Sequence, residues 1–313
     1  MPIIDLHCDT VLLLMADKNT LQLRQNDFCV DVEKLKQASS MAQFFALFVD
    51  LQKTDNALET CLEMADTFYA QLEKNQDALR WAGNYRDLLE NKRQNKISAF
   101  LTIEEGGVLR GQLHHLRNFY HLGVRLITLT WNYPNEIGYP NKEAQYRSRG
   151  LTPFGKEVVR EMNRLGMLID VSHLSDQGFY DVAALSTQPF VASHSNARTV
   201  QDHPRNLTDD MIRVLAEKGG VMGINFERTF LGNSEISRVE DMVRHIKHIR
   251  QVGGIDVIAL GTDFDGIEPV CEVSHIGEIG KLEQGLRSAG FAESDIEKIC
   301  HNNAERVIRN VLR

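Results

Sequence analysis

Residues 1–10 read MPIIDLHCDT, a short apolar run followed at once by a histidine and an aspartate. The same unit, an apolar run, a polar turn and then a segment with helical spacing, recurs along the chain. Strands that alternate with helices pair in parallel through right-handed crossovers. Eight such units predict an α/β protein, a closed (β/α)8 TIM barrel. The eight runs are Pro2 to Leu6, Ala42 to Val49, Ile97 to Ile103, Arg125 to Leu129, Met167 to Val171, Phe190 to Ala192, Gly220 to Asn225, and Val257 to Gly261.

The length and spacing predict one domain. A chain of 313 residues is long for one compact domain but ordinary for an α/β barrel. We therefore predict a single barrel over residues 1–313, with a helical insert at about 51–95 and a long active-site loop at about 132–152. The insert has apolar residues at helical spacing, and the loop has no periodicity.

Charge and cysteine content narrow the class of protein. A formal net charge of -8 argues against a nucleic-acid or anionic-membrane partner, because both bind basic surfaces. The five cysteines are widely spaced and form no C-x-x-C pair, which is typical of a reducing compartment. With no basic leader ahead of the first strand, we expect a cytoplasmic protein.

Polar residues follow the predicted strands where a barrel of this kind carries its active site. Histidines and carboxylates that share the carboxyl end of one barrel favour a metal site more strongly together than any of them does alone. On a regular strand His7 and Asp9 would share one face, and Leu6 and Cys8 the other. The candidates are His7, Asp9, Glu104, Glu105, His173, His194, Asp263 and Asp265.

The number of ligands predicts two ions. Three imidazoles, Asp9 and a glutamate exceed what one tetrahedral ion uses when a position stays open for water. Two ions bridged by a carboxylate would fit, and such a pair activates water and polarises a carbonyl group. Zinc is the first choice for mixed nitrogen and oxygen ligands, with manganese or cobalt as alternatives.

Periodicity leaves two choices open. Glu104 and Glu105 point to opposite faces of a strand, and the following Gly106 and Gly107 favour a strand that ends at Glu105. Asp263 is nearer its strand than Asp265, so we predict Asp263 as the general base and then the general acid.

Several segments resemble those of the membrane (renal) dipeptidase family, peptidase family M19 of the amidohydrolase superfamily. They occur in the family's order along the whole chain. The segments are DLHCDT at 5–10, EGG at 105–107, LGVRLITLTWN at 122–132, GLTPFGKEVVREMNRLGMLIDVSH at 150–173, SHSNARTVQDHPRN at 193–206 and GTDFDG at 261–266. The resemblance implies a metal-dependent hydrolase barrel with two zinc ions, dipeptidase activity and a homodimer.

Carried over by position, the resemblance implies a role for each site residue. His7 and Asp9 would hold one ion, His173 and His194 the other, and Glu105 would bridge them. Asp263 matches the family's catalytic aspartate, and Arg205 matches an arginine that binds the substrate's free carboxylate. A guanidinium suits that task, because it binds a carboxylate through two hydrogen bonds.

The sequence departs from the family pattern at two positions. Trp131 stands where better-known members have a histidine, so that either Asn132 donates the hydrogen bond to the substrate or the metal acts alone. Phe230 stands where the animal enzyme has a tyrosine near the substrate.

The predicted substrate is a small dipeptide with a free C-terminal carboxylate, D residues included. The alternatives are an amidohydrolase that acts on another amide, such as an N-acyl amino acid, and a barrel that binds without catalysis.

Overall fold

The computed structural model describes residues 1–18, 20–268 and 270–313, and it confirms the predicted barrel. Within the described residues nine strands form one parallel sheet in the order β2-β1-β9-β8-β7-β6-β5-β4-β3, and pairing of β2 with β4 closes eight of them into a ring. The strands are β1 (Ile3–Cys8), β2 (Ser40–Phe48), β3 (Leu79–Trp81), β4 (Ile97–Glu104), β5 (Val124–Thr128), β6 (Leu168–Asp170), β7 (Val191–Ala192), β8 (Val221–Ile224) and β9 (Ile258–Leu260).

Strand β3 lies outside the ring. It pairs with the first residues of β4, with Leu79 opposite Ile97, whereas β5 pairs with the later residues, with Leu101 opposite Val124. This strand belongs to the segment 51–95, predicted above as a helical insert. The segment contains two helices with the short strand between them, and the strand has only three residues, too few for an alternating pattern to predict.

Helices follow most of the strands and cover the sheet. They are α1 (Thr10–Leu14), α2 (Val32–Gln37), α3 (Ala57–Lys74), α4 (Tyr85–Arg93), α5 (Leu113–Leu122), α6 (Pro153–Leu165), α7 (Asp176–Leu185), α8 (Asp209–Glu217), α9 (Arg228–Leu231), α10 (Val239–Gly253), α11 (Gly280–Ser288), α12 (Glu293–Glu297) and α13 (Asn303–Val311). A π-helical turn, Lys298–Asn302, joins α12 to α13. No helix of the described residues is both long and apolar enough to cross a bilayer.

The ends of α6 show how the sequence sets helix boundaries. Thr152 accepts a hydrogen bond from the Gly155 amide, Pro153 occupies the first turn, and Gly166 ends the helix with φ of 72°. A side-chain oxygen satisfies a free amide at the start of a helix, and glycine takes the left-handed conformation at its end without steric strain.

Two apolar clusters hold the barrel together. The inner cluster has members from each of the eight ring strands, among them Phe44 and Phe100, whose rings stack with centroids 4.6 Å apart. Val307, Ile308 and Val311 of α13 belong to this cluster. The larger cluster lies between the strands and the surrounding helices. The interior of the barrel is therefore filled with side chains, and the functional site is confined to the carboxyl end.

The segment 132–152 is irregular apart from one short turn, Ala144–Tyr146. Backbone hydrogen bonds hold it on the barrel: the Asn141 amide donates to the His173 carbonyl at 2.7 Å, and Pro140 forms a bridge with Leu174. The segment therefore lies against the residues that follow β6. Its role as an active-site loop stays a prediction.

Candidate metal centre

Polar side chains from five strands meet inside the carboxyl end of the barrel. Among the described residues, three overlapping groups have possible ligand atoms within 4.8 Å of one another. All but one of the ligand residues are buried, and Asp263 has only a small exposed fraction. The candidate ligands are His7 in β1, Asp9 just after β1, Glu104 at the end of β4, His173 after β6, His194 after β7 and Asp263 after β9.

Glu104 lies between two sets of ligands. Its Oε2 atom is 3.3 Å from His7 Nε2, and that nitrogen is also 3.3 Å from Asp9 Oδ2. Its Oε1 atom is 3.0 Å from His173 Nε2 and 3.4 Å from His194 Nε2. The group His7, Asp9 and Glu104 therefore shares one carboxylate with the group Glu104, His173 and His194. A carboxylate with one oxygen toward each set is arranged as a bridging ligand.

The structure corrects the predicted bridging residue, because Glu105 points away from this cluster. Strand β4 continues to Glu104, and Glu105 takes φ of 96°, which turns its side chain out of the strand alternation. The Glu105 carboxylate accepts hydrogen bonds from the amides of Gly107 and Trp131 and from the Asn135 side chain. Glu105 thus holds the start of the 132–152 segment, and Glu104 occupies the position predicted for Glu105.

His7 reaches the site through an irregularity in β1. The pairing of β1 with β2 shifts register between Asp5 and Cys8. Leu6 packs in the inner cluster and Cys8 in the outer one, so the two do not share a face as regular alternation predicts. The Asp5 carboxylate accepts hydrogen bonds from the amide and hydroxyl of Thr262, at 2.8 Å each, and so fastens β1 to the loop after β9.

Several residues at the strand ends have left-handed backbone conformations. Their φ values are 96° at Glu105, 66° at His173, 63° at Asp263 and 69° at Asp265. Non-glycine residues in this region are strained, and such strain is concentrated at functional sites. Asp265 uses its position structurally, because its carboxylate accepts hydrogen bonds from the Thr10 hydroxyl at 2.6 Å and the Cys29 amide at 2.6 Å.

The tautomer of His194 is fixed by Ser193 and Asp170. The Asp170 carboxylate accepts a hydrogen bond from the Ser193 hydroxyl at 2.5 Å. It also accepts hydrogen bonds from the amide of Ser193 and the hydroxyl of Thr128. Ser193 Oγ lies 2.8 Å from His194 Nδ1, and its only proton is directed to Asp170. His194 Nδ1–H must therefore donate to Ser193, which leaves the lone pair on Nε2 facing Glu104.

His173 is oriented in a similar way. Its Nδ1 atom lies 3.2 Å from Asn132 Oδ1, an oxygen that can only accept. The proton is thus on Nδ1, and Nε2 faces Glu104. Asn132, predicted as a substrate-binding residue, is therefore in contact with a candidate metal ligand and also lines the cavity described below.

Burial and crowding shift the pKa values of the carboxyl groups in opposite directions. Burial, with the charges of neighbouring carboxylates added, raises the pKa of Asp263 to about 8 and that of Asp9 to about 6. Burial also raises the pKa of Glu104, but the positive charge of His7 outweighs it and holds the pKa well below its ordinary value. Burial and the Arg205 charge lower the pKa of His173 to about 4, which favours a neutral imidazole.

The donor set fits divalent cations. His7 Nε2 is buried and faces the carboxylates of Asp9 and Glu104 at 3.3 Å and of Asp263 at 3.7 Å, yet it forms no hydrogen bond within the described residues. Asp9 Oδ1 is buried without a partner there as well. Carboxylates this close together repel one another, and a cation bound between them relieves that repulsion. Imidazole and carboxylate ligands together suit zinc and related divalent ions.

Asp263 is held by a residue that the sequence reasoning did not select. Asn225, the residue after β8, donates from Nδ2 to Asp263 Oδ2 at 2.7 Å, so that Oδ1 remains directed toward His7. Asn225 is fully buried. A buried polar residue at the carboxyl end of a strand is the same signal that pointed to the other site residues, and it would have identified Asn225.

A cavity of about 440 Å³ opens over the ligands. Asp9, Glu104, His173 and Asp263 form its floor. Its walls come from the last residue of β2 and from residues that follow β1, β5, β8 and β9, namely Leu12, Phe48, Trp131, Asn132, Glu227, Arg228, Thr229, Phe230, Asp265, Gly266, Ile267 and Glu268. A cavity of this size accommodates a small molecule.

Arg205 lies beside the ligands and beneath Phe230. Its side chain is buried, and its guanidinium carbon is 5.3 Å from the centre of the Phe230 ring. It donates hydrogen bonds to the His194 carbonyl at 3.1 Å and the Ser195 hydroxyl at 3.4 Å. Arg205 Nε has no hydrogen-bond partner in the part of the chain that the structure describes. A buried guanidinium with an unused donor is suited to an anionic group.

The sequence has relatives that match most of the chain. An uncharacterized protein of the pqqA 5' region in Klebsiella pneumoniae is 36% identical over 235 residues, which cover 71% of this chain and 86% of that protein. An uncharacterized dipeptidase of Schizosaccharomyces pombe is 33% identical over 287 residues, covering 85% of this chain and 69% of the yeast protein.

Solved structures share the whole fold. The crystal structure of a family M19 metallo peptidase, dipeptidase AC, superposes with a TM-score of 0.92 at 26% identity and covers 100% of this chain and 99% of its own. A metallo peptidase from Rhodobacter sphaeroides, liganded with a phosphinate mimic of the dipeptide L-Ala-D-Ala, has a TM-score of 0.91 at 25% identity and covers 99% of both chains. The sequence model of the membrane dipeptidase family, peptidase family M19, matches residues 1–313 of this chain. The chain therefore belongs to the membrane dipeptidase family of metallohydrolases.

Proposed function

We propose that this enzyme binds two divalent ions and hydrolyses dipeptides that carry a free C-terminal carboxylate. The observation that carries the proposal is the position of Glu104, whose two oxygens face two separate sets of ligands. His7 and Asp9 would hold one ion and His173 and His194 the other. Divalent ions at such a site supply Lewis acidity, which lowers the pKa of water and polarises a carbonyl group. Zinc is the proposed metal, because the ligands mix nitrogen and oxygen atoms.

Asp263 is proposed to move the proton. Its Oδ2 is occupied by Asn225, and Oδ1 faces the ligands. As general base, Oδ1 takes a proton from the water whose oxygen bonds to the scissile carbonyl carbon. As general acid, it returns that proton to the nitrogen when the C–N bond breaks. The products are the first residue, whose new carboxyl group releases its remaining proton to solvent at neutral pH, and the second residue with a free amine.

Arg205 is proposed to bind the substrate's terminal carboxylate, with Phe230 beside it. The unpartnered Nε–H and the permanent charge support this role. A free carboxylate next to the scissile bond would distinguish dipeptides from longer peptides. Acceptance of a D residue at the second position is proposed by analogy with the Rhodobacter sphaeroides enzyme, whose ligand is a mimic of L-Ala-D-Ala.

The test combines metal analysis with a substrate panel on one preparation. Elemental analysis should find two ions per chain after loading with zinc, and L,L and L,D dipeptides should be hydrolysed in preference to N-acyl amino acids. Asp263→Asn should lower kcat by about 10²- to 10⁴-fold, the usual contribution of a general acid–base group, and should retain both ions. Arg205→Ala should act mainly on KM.

Each part of the proposal can fail separately. One ion per chain would contradict the bridging role of Glu104. Faster turnover of N-acyl amino acids than of dipeptides would replace the proposed substrate. Near-normal kcat in Asp263→Asn would remove the proton-transfer role.

A further inference from the structure

The cavity has two chemically different walls. Around the ring the strands follow the order β1, β2, β4, β5, β6, β7, β8 and β9, so β2 and β7 stand opposite each other. Phe48 ends β2, and Arg205 lies in the segment after β7. An apolar residue and the proposed carboxylate anchor are therefore on opposite sides of the metal ligands.

The wall at β2 is aromatic. The rings of Phe48 and Trp131 meet edge to face with centroids 4.8 Å apart, and both residues line the cavity and are partly exposed. Tyr133 supports Trp131 from behind at 5.5 Å, and Leu12, exposed at 37%, extends the wall toward β1. A large apolar side chain left exposed in a cavity usually marks a binding surface.

The wall on the side of β8 and β9 is charged. Glu227, Arg228 and Glu268 line it, and Arg228 Nη2 lies 3.3 Å from Glu268 Oε2. A dipeptide whose carboxylate is at Arg205 and whose scissile bond lies over Glu104 would extend its first residue away from this wall, toward Phe48 and Trp131.

We propose that Trp131 and Phe48 form the pocket for the side chain of the substrate's N-terminal residue and select dipeptides with a large apolar or aromatic first residue. This inference rests on the proposed function. It assigns Trp131, which stands where the resemblance leads one to expect a histidine, a role in specificity. Aromatic side chains pack against each other edge to face or offset, and the burial of apolar area in such contacts favours aromatic residues over glycine.

The test compares two substrates that differ only in the first residue, Phe-Ala and Gly-Ala. For the zinc-loaded protein we expect kcat/KM to be higher for Phe-Ala by about 10- to 200-fold, the range that packing of extra carbon atoms in an apolar pocket gives. Trp131→Ala should lower this ratio by about tenfold or more, and Phe48→Ala should change it in the same direction. Ala-Phe and Ala-Gly differ only in the second residue. The ratio of their kcat/KM values should change less in either variant.

Trp81→Ala is the matched control, because Trp81 is the second of the two tryptophans and lies on β3, away from the cavity. It should leave the ratio of the two substrates unchanged. Binding is measured separately from turnover with a phosphinate mimic of Phe-Ala, which should shift the fluorescence of Trp131 in a Trp81→Phe background.

The outcomes separate this inference from the function on which it rests. Hydrolysis of neither substrate, with two ions bound, would contradict the proposed function. Hydrolysis of both at equal kcat/KM, or an unchanged ratio in both Trp131→Ala and Phe48→Ala, would overturn the pocket while leaving the dipeptidase proposal intact. If Trp131→Ala and Phe48→Ala change only the preference between Ala-Phe and Ala-Gly, the aromatic wall contacts the side chain of the C-terminal residue instead.

Discussion

Removal of the Ser193 hydroxyl should weaken metal binding without removing a metal ligand. The hydroxyl lies between Asp170 and His194, at 2.5 Å and 2.8 Å. In Ser193→Ala, Asp170 keeps the Thr128 hydroxyl and two backbone amides as donors, so the carboxylate stays satisfied. The His194 Nδ1–H, in a fully buried position, loses the one acceptor that it has among the described residues.

The expected magnitude follows from that unpaired N–H. An unsatisfied buried donor costs about 1–3 kcal/mol. Without metal the imidazole can avoid this cost by moving its proton to Nε2, which then bonds Glu104, but the metal-bound form cannot. The difference therefore appears in metal affinity, and since about 1.4 kcal/mol is a factor of ten, we expect zinc affinity to fall by about 5- to 150-fold. Competition with a chromogenic chelator measures it directly.

Ser172→Ala provides the matched control. Ser172 Oγ accepts the His194 backbone amide at 3.1 Å but does not contact its ring. The Ser172→Ala variant should have a lower melting temperature and an unchanged zinc affinity. If Ser193→Ala instead retained wild-type zinc affinity and lost only stability, as the control does, then Ser193 would not fix the tautomer of His194.

Two further predictions concern single carboxylates. Glu104→Gln should lower the zinc content of the loaded protein below two ions per chain. Glu105→Gln should retain both ions and should raise the susceptibility of the 132–152 segment to proteolysis. Equal zinc loss in the two variants would argue against Glu104 as the bridge. Hydrogen bonds from Arg164 and Arg117 hold the pKa of Glu161 at about 2, below its ordinary value of 4.5. The ion pairs therefore stabilise the fold fully above pH 4.5, and this contribution is lost as the pH falls toward 2. Because both arginines are largely exposed, Glu161→Gln should reduce the free energy of unfolding at neutral pH by only about 0.2–1 kcal/mol, with a smaller difference at acid pH; urea titrations at the two pH values test the sign.

The repeating pattern of strand and helix was sufficient to predict the barrel and the end at which its polar residues gather. Each ring strand buries an apolar run, and the carboxyl ends of parallel strands meet at one end of the barrel. His7, Asp9, His173, His194 and Asp263 could be selected on that basis, and the structure brings them together. Their roles as ligands and acid–base group remain proposals.

Details that depend on one residue's backbone could not be predicted in this way. The choice between Glu104 and Glu105 depends on where β4 ends. Three hydrogen bonds, from the amides of Gly107 and Trp131 and from the Asn135 side chain, stabilise the left-handed conformation of Glu105. Trp131 and Asn135 come close to Glu105 only when the barrel closes. The irregular register of β1 puts Leu6 and Cys8 in different clusters. It likewise comes from pairing with neighbouring strands, and the alternation of side chains along the sequence does not predict it.

The left-handed residues at the strand ends indicate where this enzyme can be made more heat-resistant. Each such conformation costs roughly 1–3 kcal/mol, and the surrounding contacts must maintain it. Glycine would relieve the strain at His173 or Asp263 but would remove the side chain that the site needs. Improvement in thermal tolerance is therefore better sought at distant helix starts, such as Ala292 before α12, where no side chain of the described residues caps the free amides.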